Sequence, residues 1–236
     1  MFANGMGPTY VSLLLQGLSL TLRLCVLSLS LACVAGVLFG ILRTLGRPWL
    51  AIPIQAYVEV IRSIPLLLLL FTVFYGFPVV FKLALDPFTA AVVTMGFYQA
   101  AFMTQIVRAG IESVPLGQSS AADALGLTYI QKMRNIVMPQ ALRVILPGAV
   151  GLLVSAIKDS SLASVIGLFE LTRTALAIRN ITLSNWDVLG TLLLLYVVIN
   201  SIVSVAGGLL ERRLAPSENQ RQVLDAVLLQ IELRQR

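Results

Sequence analysis

The chain has 236 residues and a formal net charge of +6, and only 12% of its residues are charged, about half of the usual content of a soluble domain. A hydrophobic fraction of 58% and a mean hydropathy of +0.90 indicate an all-α polytopic membrane protein. The basic residues stand in connectors and no nucleic-acid-binding motif occurs, so we expect no nucleic-acid partner. With no histidine and no paired thiols, no metal or haem site is predicted.

Uncharged runs predict about five membrane-spanning helices, because roughly 20 helical residues cross a bilayer core. A helix over 49–61 is expected to end at a break formed by Ser63, Ile64 and Pro65, and the second span follows that break. The five spans are expected at about 11–42, 65–81, 88–107, from 139 onward, and 188–210.

The first predicted span contains two cysteines and two glycines at regular spacing. Cys25 and Cys33 are eight residues apart, which places their α-carbons about 12 Å apart on a helix, beyond the roughly 7 Å reach of a disulfide. Gly36 and Gly40 have the spacing that allows two helix backbones to approach closely, although chance would also explain it. Arg23 is expected near an interface or toward the bundle interior, because a charge at the bilayer centre is unfavourable.

The distribution of Lys and Arg among the connectors predicts the orientation of the chain. One side receives nine basic residues, at positions 43, 47, 62, 108, 132, 134, 143, 212 and 213. The other side receives four, at positions 82, 158, 173 and 179. We therefore expect the N-terminus outside, and the connector after span three and the C-terminus in the cytoplasm.

Residues 1–213 are predicted to form the membrane domain, and residues 214–236 a cytoplasmic amphipathic tail. Ser217 and Gln220 have the spacing of a capping box. Five apolar residues then share one helical face, namely Val223, Leu224, Val227, Leu228 and Ile231. Such a helix would lie on the membrane or pack on a partner.

The polar connector contains the run GQSSAADALGL, which predicts a short helix. Ser119 or Ser120 would cap it with Asp123 in the first turn, and Gly126 would end it in the left-handed conformation. A capping box at Thr128 predicts a second short helix, which Pro139 would end near Met138. Such a small-residue helix would fit a groove of another protein. A re-entrant turn is the simpler alternative, but about 30 residues exceed the usual 2–8 of a helix–helix connection.

The run GQSSAADALGLTYIQKMRNIVMPQALRVILPG resembles the "Glu-Ala-Ala" loop of ATP-binding-cassette importer permeases, in particular the polar amino acid uptake group. Three further runs resemble the same group, in the same order. They are YVEVIRSIPLLLLL (57–70), QIVRAGIESVPLGQ (105–118) and KDSSLASVIGLFEL (158–171). Together the matches cover most of the chain from residue 57 to about residue 171.

The resemblance implies a permease subunit of a polar amino acid importer in a bacterial inner membrane, with a coupling loop at about 109–138. Its partners would be an ATPase dimer that holds the ATP and Mg²⁺, a second permease subunit, and an extracytoplasmic amino acid binding protein. This chain would bind no cofactor and would not be an enzyme. The implied docking residues are Gly117, Gln118, Ser119, Ser120, Ala121, Ala122, Asp123, Leu125 and Gly126.

Two positions depart from the family pattern. Ser120 stands where the family's loop has the glutamate that names it, so a charge pair with a basic residue of the ATPase is lost. Gln105 replaces a glutamate that usually lies three residues before an arginine, here Arg108. Both departures remove negative charge from the predicted cytoplasmic half.

Polar residues in two other regions are candidates for the translocation path or its gate. Lys158, Asp159, Ser160 and Ser161 follow the fourth span, where they would form the outer rim of the path or a solvated interfacial loop. Inside span three lie Gln99, Thr104 and Gln105, which would line a cavity or make helix–helix hydrogen bonds.

A stand-alone secondary transporter or channel for small polar solutes is the alternative function. It would commonly show internal repeats or intramembrane carboxylates, and neither is evident. The chain contains no G-x-x-x-x-G-K-[ST], so ATP hydrolysis is assigned to separate subunits. An intramembrane enzyme is not supported, because there is no histidine and no G-x-S-x-G elbow. The sequence does not predict which amino acid is carried, or whether the permease pairs with itself or with a homologue.

Overall fold

The computed structural model describes residues 8–214, and within that range the chain is helical with no strand. The ten α-helices of this range are α1 Pro8–Arg43, α2 Pro48–Ser63, α3 Leu66–Phe71, α4 Phe77–Phe81, α5 Pro87–Glu112, α6 Leu116–Ala124, α7 Tyr129–Lys132, α8 Met138–Asp159, α9 Leu171–Thr182 and α10 Asn185–Leu214. A π-helical turn joins α3 to α4, another joins α7 to α8, and a 3₁₀ helix, Ser160–Ile166, follows α8. The predicted tail lies outside the described residues, apart from the end of α10.

Four helices of the described part are long and apolar enough to cross a membrane, and the bent pair α2 with α3–α4 makes a fifth candidate. This confirms the prediction of about five spans. The two parts of the pair meet at an angle of 102°. The break lies at the predicted position, where Ile64 is extended (φ −98°, ψ 130°), because a residue that precedes proline is disfavoured in the helical conformation.

Close packing of α1 against α5 forms the centre of the bundle. A Cβ atom added to Gly36 would lie 2.5 Å from the Met103 Cβ, and one added to Gly40 would lie 2.6 Å from the Val107 Cβ. Gly96 of α5 contacts Leu31 of α1 in the same way. The structure therefore confirms that the Gly36 and Gly40 spacing allows close backbone approach.

Two predicted helix boundaries are wrong. The third span continues beyond residue 107 and ends at Glu112, because the pair Val114 and Pro115 is the first strong break after it. Pro139 does not end the second short helix. The π-helical turn Met133–Val137 leads directly into α8, and Tyr129–Ile166 is one 38-residue helical segment. A proline lacks the backbone N–H that an uninterrupted α-helix would use, and the wider turn before it accommodates that loss.

The free cysteines confirm the prediction that residues 25 and 33 form no disulfide with each other. Cys25 is buried and its thiol contacts the Ala156 carbonyl oxygen at 3.6 Å. This contact joins α1 to α8 near the end of the bundle that carries Pro8, Lys82 and Lys158. We call that end the far end, and the end that carries Arg43, Glu112 and α6 the connector end.

Candidate functional site

Helix α6 begins earlier than the serines of the connector suggest. Its first residue is Leu116, directly after Pro115, which has φ −55° and ψ 133°. Proline fixes the backbone dihedral of a helix start, and the N–H it lacks is not needed there. Ser119 and Ser120 therefore lie inside α6 rather than at its cap, and Asp123 lies in its last turn. The predicted capping role of both serines is wrong.

The end of α6 is the predicted glycine stop. Gly126 has φ +72°, a conformation in which the Cβ atom of any other residue lies too close to the following carbonyl oxygen. Its N–H donates to the Asp123 carbonyl at 3.0 Å, and the Leu127 N–H donates to the Ala122 carbonyl at 3.1 Å. These two bonds form a Schellman motif, which satisfies carbonyl groups that a helix end leaves free.

Polar interactions order the start of α7 and tie it to α6. The capping box at Thr128 is present as predicted: its N–H donates to the Gln131 Oε1 at 2.8 Å, and the Gln131 N–H donates to the Thr128 Oγ1 at 3.4 Å. The Lys132 Nζ then donates to both carboxylate oxygens of Asp123, at 2.8 and 3.0 Å. The connector is thus an ordered unit that is fixed to the helix leading into α8.

The outer surface of this unit carries small residues framed by apolar side chains. Ala122 is fully buried and anchors α6 to the bundle. Leu116, Leu125 and Ile130 project outward, with 84%, 78% and 75% of their surface exposed. Between these apolar residues lie most of the predicted docking residues, of which Ser119 is half-buried and the following are exposed: Gly117, Gln118, Ser120, Ala121, Asp123 and Gly126. Exposed apolar side chains around a small-residue helix are typical of a protein interaction site.

The predicted polar break lies at the far end, partly inside helical structure. Lys158 is exposed and Asp159 is half-buried at the end of α8. Ser160 is fully buried and donates to the Ile157 carbonyl at 2.7 Å, and Ser161 donates to the Lys158 carbonyl at 2.7 Å. The two hydroxyls thus satisfy carbonyls of the final turn of α8, while the two charged residues stand beside them.

Glu170, which the sequence reasoning did not single out, is the most enclosed acidic residue at this end. It is fully buried, and both the Thr172 N–H and the Arg173 N–H donate to its carboxylate at 2.8 Å. The Tyr196 hydroxyl of α10 also donates to it, at 3.4 Å. Burial raises the pKa of the Glu170 carboxyl, and these donors offset part of that rise. The signal available in the sequence was its position just before a helical pattern, where a carboxylate serves as an N-cap.

The three polar residues predicted inside span three have different surroundings. Gln99 has 1% of its surface exposed, and neither amide atom has a hydrogen-bond partner among the described residues. Thr104 is fully buried and donates to the Ala100 carbonyl at 2.7 Å, within its own helix. Gln105 is half-buried. The amide of Gln99 is therefore the group here whose hydrogen-bonding capacity is unused.

These features define a class of protein. A bundle of about five candidate spans with an ordered, outward-facing helical connector is the architecture of a polytopic membrane protein with a structured loop exposed at one end. Comparison with known proteins agrees. Residues 32–216 match the family described as binding-protein-dependent transport system inner membrane component, and the chain belongs to that family.

Relatives and solved structures extend the match over most of the chain. The probable glutamine ABC transporter permease protein GlnM of Bacillus subtilis is 36% identical over 87% of this chain and 95% of its own length. The glutamate/aspartate import permease protein GltJ of Escherichia coli is 33% identical over 87% and 88%. A crystal structure of an amino acid ABC transporter with histidines superposes with a TM-score of 0.81 at 32% identity, over 87% of this chain and 95% of that one. The chain is thus a permease subunit of an ABC-type importer and an inner membrane protein. Permeases of this family work with ATPase subunits and a substrate-binding protein.

Proposed function

We propose that this chain carries polar amino acids across the bacterial inner membrane, and that the ATPase subunits dock on the Gly117–Gly126 segment. The observation that carries the proposal is the construction of α6. It is ordered and anchored, yet it presents small residues framed by exposed Leu116 and Leu125. The names of the relatives, which include glutamine, glutamate/aspartate and arginine permeases, support the substrate class.

In the proposed mechanism, closure of the ATPase dimer moves α6 and the spans follow. The Asp123–Lys132 ion pair and the Schellman motif tie α6 to α7, and α7 continues through the π-helical turn into α8. A displacement of α6 therefore reaches the fourth span through hydrogen bonds and continuous helix, with no flexible loop after Thr128. The proposed result is that the translocation path between two permease subunits changes from outward-facing to inward-facing. That change requires a second permease subunit, because five spans do not enclose a path.

The translocation path is proposed to use polar groups that the isolated bundle leaves unsatisfied. A buried amide without a partner is unfavourable by about 1–3 kcal/mol, and Gln99 has both amide atoms in that condition. Substrate or water in the assembled transporter would supply the missing partners. Gln105, Lys158, Asp159, Ser160 and Ser161 stay candidates for the path, as does Thr104, although its hydroxyl is bonded within its own helix.

Reconstitution of the full importer tests the proposal. Permease, ATPase and binding protein would be purified together in proteoliposomes, and uptake of a panel of labelled amino acids would be measured with ATP and with a non-hydrolysable analogue. We expect uptake only with ATP. A variant lacking 119–126 should lose ATPase co-purification. A variant truncated after residue 214 is the control, because it also removes residues from the predicted cytoplasmic side. ATP-independent uptake would instead support the stand-alone transporter or channel, and unchanged ATPase association in the 119–126 deletion would rule out docking at α6.

A further inference from the structure

A cavity of about 420 Å³ with charged and polar side chains in its lining lies at the connector end, beneath α6. Its volume falls in the range of small-molecule sites, about 300–1,000 Å³. Four parts of the fold meet around it, namely the ends of α1 and α5, helix α6, and α7 with the π-helical turn. The lining residues that carry polar side chains are Arg43, Thr44, Glu112, Ser119, Tyr129 and Lys132.

Arg43 is the unsatisfied group of this cavity. Its Nη1 atom is buried and has no hydrogen-bond partner among the described residues. Its Nη2 atom makes one long bond, 3.4 Å, to the Gln55 Oε1. A guanidinium without an anion is unfavourable when it is removed from water, and its forked donors fit the two oxygens of a carboxylate or phosphate.

The other charges of the lining are already paired. Lys132 donates to both oxygens of Asp123, and Glu112 is paired with Arg108 at 2.6 Å. Arg43 has no carboxylate within ion-pair distance in residues 8–212. The lining itself carries two positive charges and one negative charge, so its net charge favours an anion.

Two hydroxyl groups complete the donor set. Ser119 of α6 and Tyr129 of α7 both line the cavity, and no hydrogen bond joins either hydroxyl to another described residue. With Arg43 they place three unused donors around one cavity, on three different helices. The rest of the wall is largely apolar, formed by Ile111, Val114, Leu116, Met133 and Val137, so these donors are the polar groups left for a ligand.

We infer that this cavity binds a small anion, a carboxylate or a phosphate, through the Arg43 guanidinium and the hydroxyls of Ser119 and Tyr129. The bound anion joins the end of α1 to α6 and α7, and so restricts the movement of α6. The effect on transport rests on the proposed function, in which α6 transmits the motion of the ATPase. A cytoplasmic small molecule at this site therefore regulates coupling rather than serving as cargo.

Hydrogen exchange on the assembled permease–ATPase transporter in nanodiscs, without nucleotide, tests the inference. The probes are sodium phosphate and sodium succinate, each against sodium chloride at equal ionic strength. We expect either or both probes to slow exchange of the amides in 116–133 by at least about threefold, as expected when binding suppresses local opening. Slowing by phosphate alone or by succinate alone would identify the anion source.

The matched control is Arg47→Gln, which removes an equal charge four residues from Arg43 at an exposed position outside the cavity. The slowing should persist in Arg47→Gln and disappear in Arg43→Gln. The double variant S119A/Y129F keeps every charge. It should raise the probe concentration needed for the same slowing about three- to tenfold, as expected for a lost hydrogen bond of ordinary strength. If Arg43→Gln fails to assemble, this double variant tests the anion site on its own.

Equal slowing in Arg43→Gln and Arg47→Gln, an unchanged response in the double variant, or no slowing with either probe would overturn the inference. These outcomes are distinct from failure of the proposed function. A transporter that assembles and imports amino acids with ATP, yet shows no anion response, contradicts the anion site alone. A chain that does not associate with an ATPase contradicts the proposed function instead.

Discussion

The connector end and the far end both concentrate polar residues, but the burial and bonding of those residues differ. At the connector end, Asp123 is largely exposed, and it is held by a single ion pair and by backbone bonds that follow from Gly126. At the far end, Glu170 is fully buried and receives donors from α9 and α10. This difference predicts that loss of the buried Glu170 carboxylate destabilises the bundle, whereas loss of an exposed, paired carboxylate at the connector end leaves it folded.

The strongest test of this contrast is Glu170→Ala. It leaves two backbone N–H groups and the Tyr196 hydroxyl without their acceptor, and it removes an N-cap, so we expect a loss of about 2–4 kcal/mol. Thermal unfolding of the detergent-purified transporter should show it as a clear fall in the unfolding temperature. Glu112→Ala is the control at the connector end. Its carboxylate is exposed and paired with Arg108, and we expect a loss of no more than about 1 kcal/mol. Equal losses in the two variants would contradict the contrast.

The same carboxyl gives the far end a pH dependence. Because burial raises the pKa of Glu170 above its value in an unfolded chain, its contribution to stability is fully present below the unfolded pKa. It is lost as the pH rises through the raised pKa. Glu170→Gln removes this group from the titration, so a comparison of unfolding temperatures across acidic pH should show a flatter profile for the variant. An identical profile would mean that the pKa of Glu170 is the same in the folded and the unfolded chain.

At the connector end, Gly126→Val should disturb coupling more than folding. Valine at φ +72° is strained by at least about 1–2 kcal/mol, and the resulting change is confined to the junction of α6 and α7. We expect ATPase activity to persist while ATP-driven uptake falls. Gly117→Ala is the matched control, because a Cβ atom has open space at both glycines and only Gly126 has positive φ. Normal coupling in Gly126→Val would count against α6 as the coupling element.

The smallest effect is expected for Ser120→Glu, which restores the acidic residue typical of the family. Residue 120 is exposed within α6, so we expect a change in stability within about 0.5 kcal/mol. A carboxylate there would lie three residues before Asp123, and the repulsion between the two carboxylates is of similar size. Uptake and ATPase activity should match those of the unchanged transporter. A large loss of either would show that Ser120 contacts a partner that does not accept a carboxylate.

Features set by neighbouring residues could be predicted from the sequence. The break before Pro65, the left-handed end at Gly126 and the capping box at Thr128 each depend on a few residues in a row, and each is present. The spacing of Gly36 and Gly40 also predicted close packing, although the partner helix could not be inferred.

Features that depend on distant parts of the chain could not be predicted in this way. The burial of Glu170 and its hydrogen bond from Tyr196, 26 residues later, both depend on how the helices pack. Arg43 stands over a cavity that the later helices α5, α6 and α7 complete. Pro139 was predicted to end a helix because proline lacks a backbone N–H. The π-helical turn before it accommodates that loss, and its presence could not be inferred from the proline alone.

That π-helical turn also fixes the azimuth of the connector. Met133–Val137 has a wider turn than the α-helix on either side, and successive residues of an α-helix are rotated by about 100°. Conversion of this turn to ordinary α-helix with no residue removed would swing α6 and α7 by about that angle around the axis of α8. The wider turn between Lys132 and Met138 therefore sets the rotational position of α6 about the axis of α8.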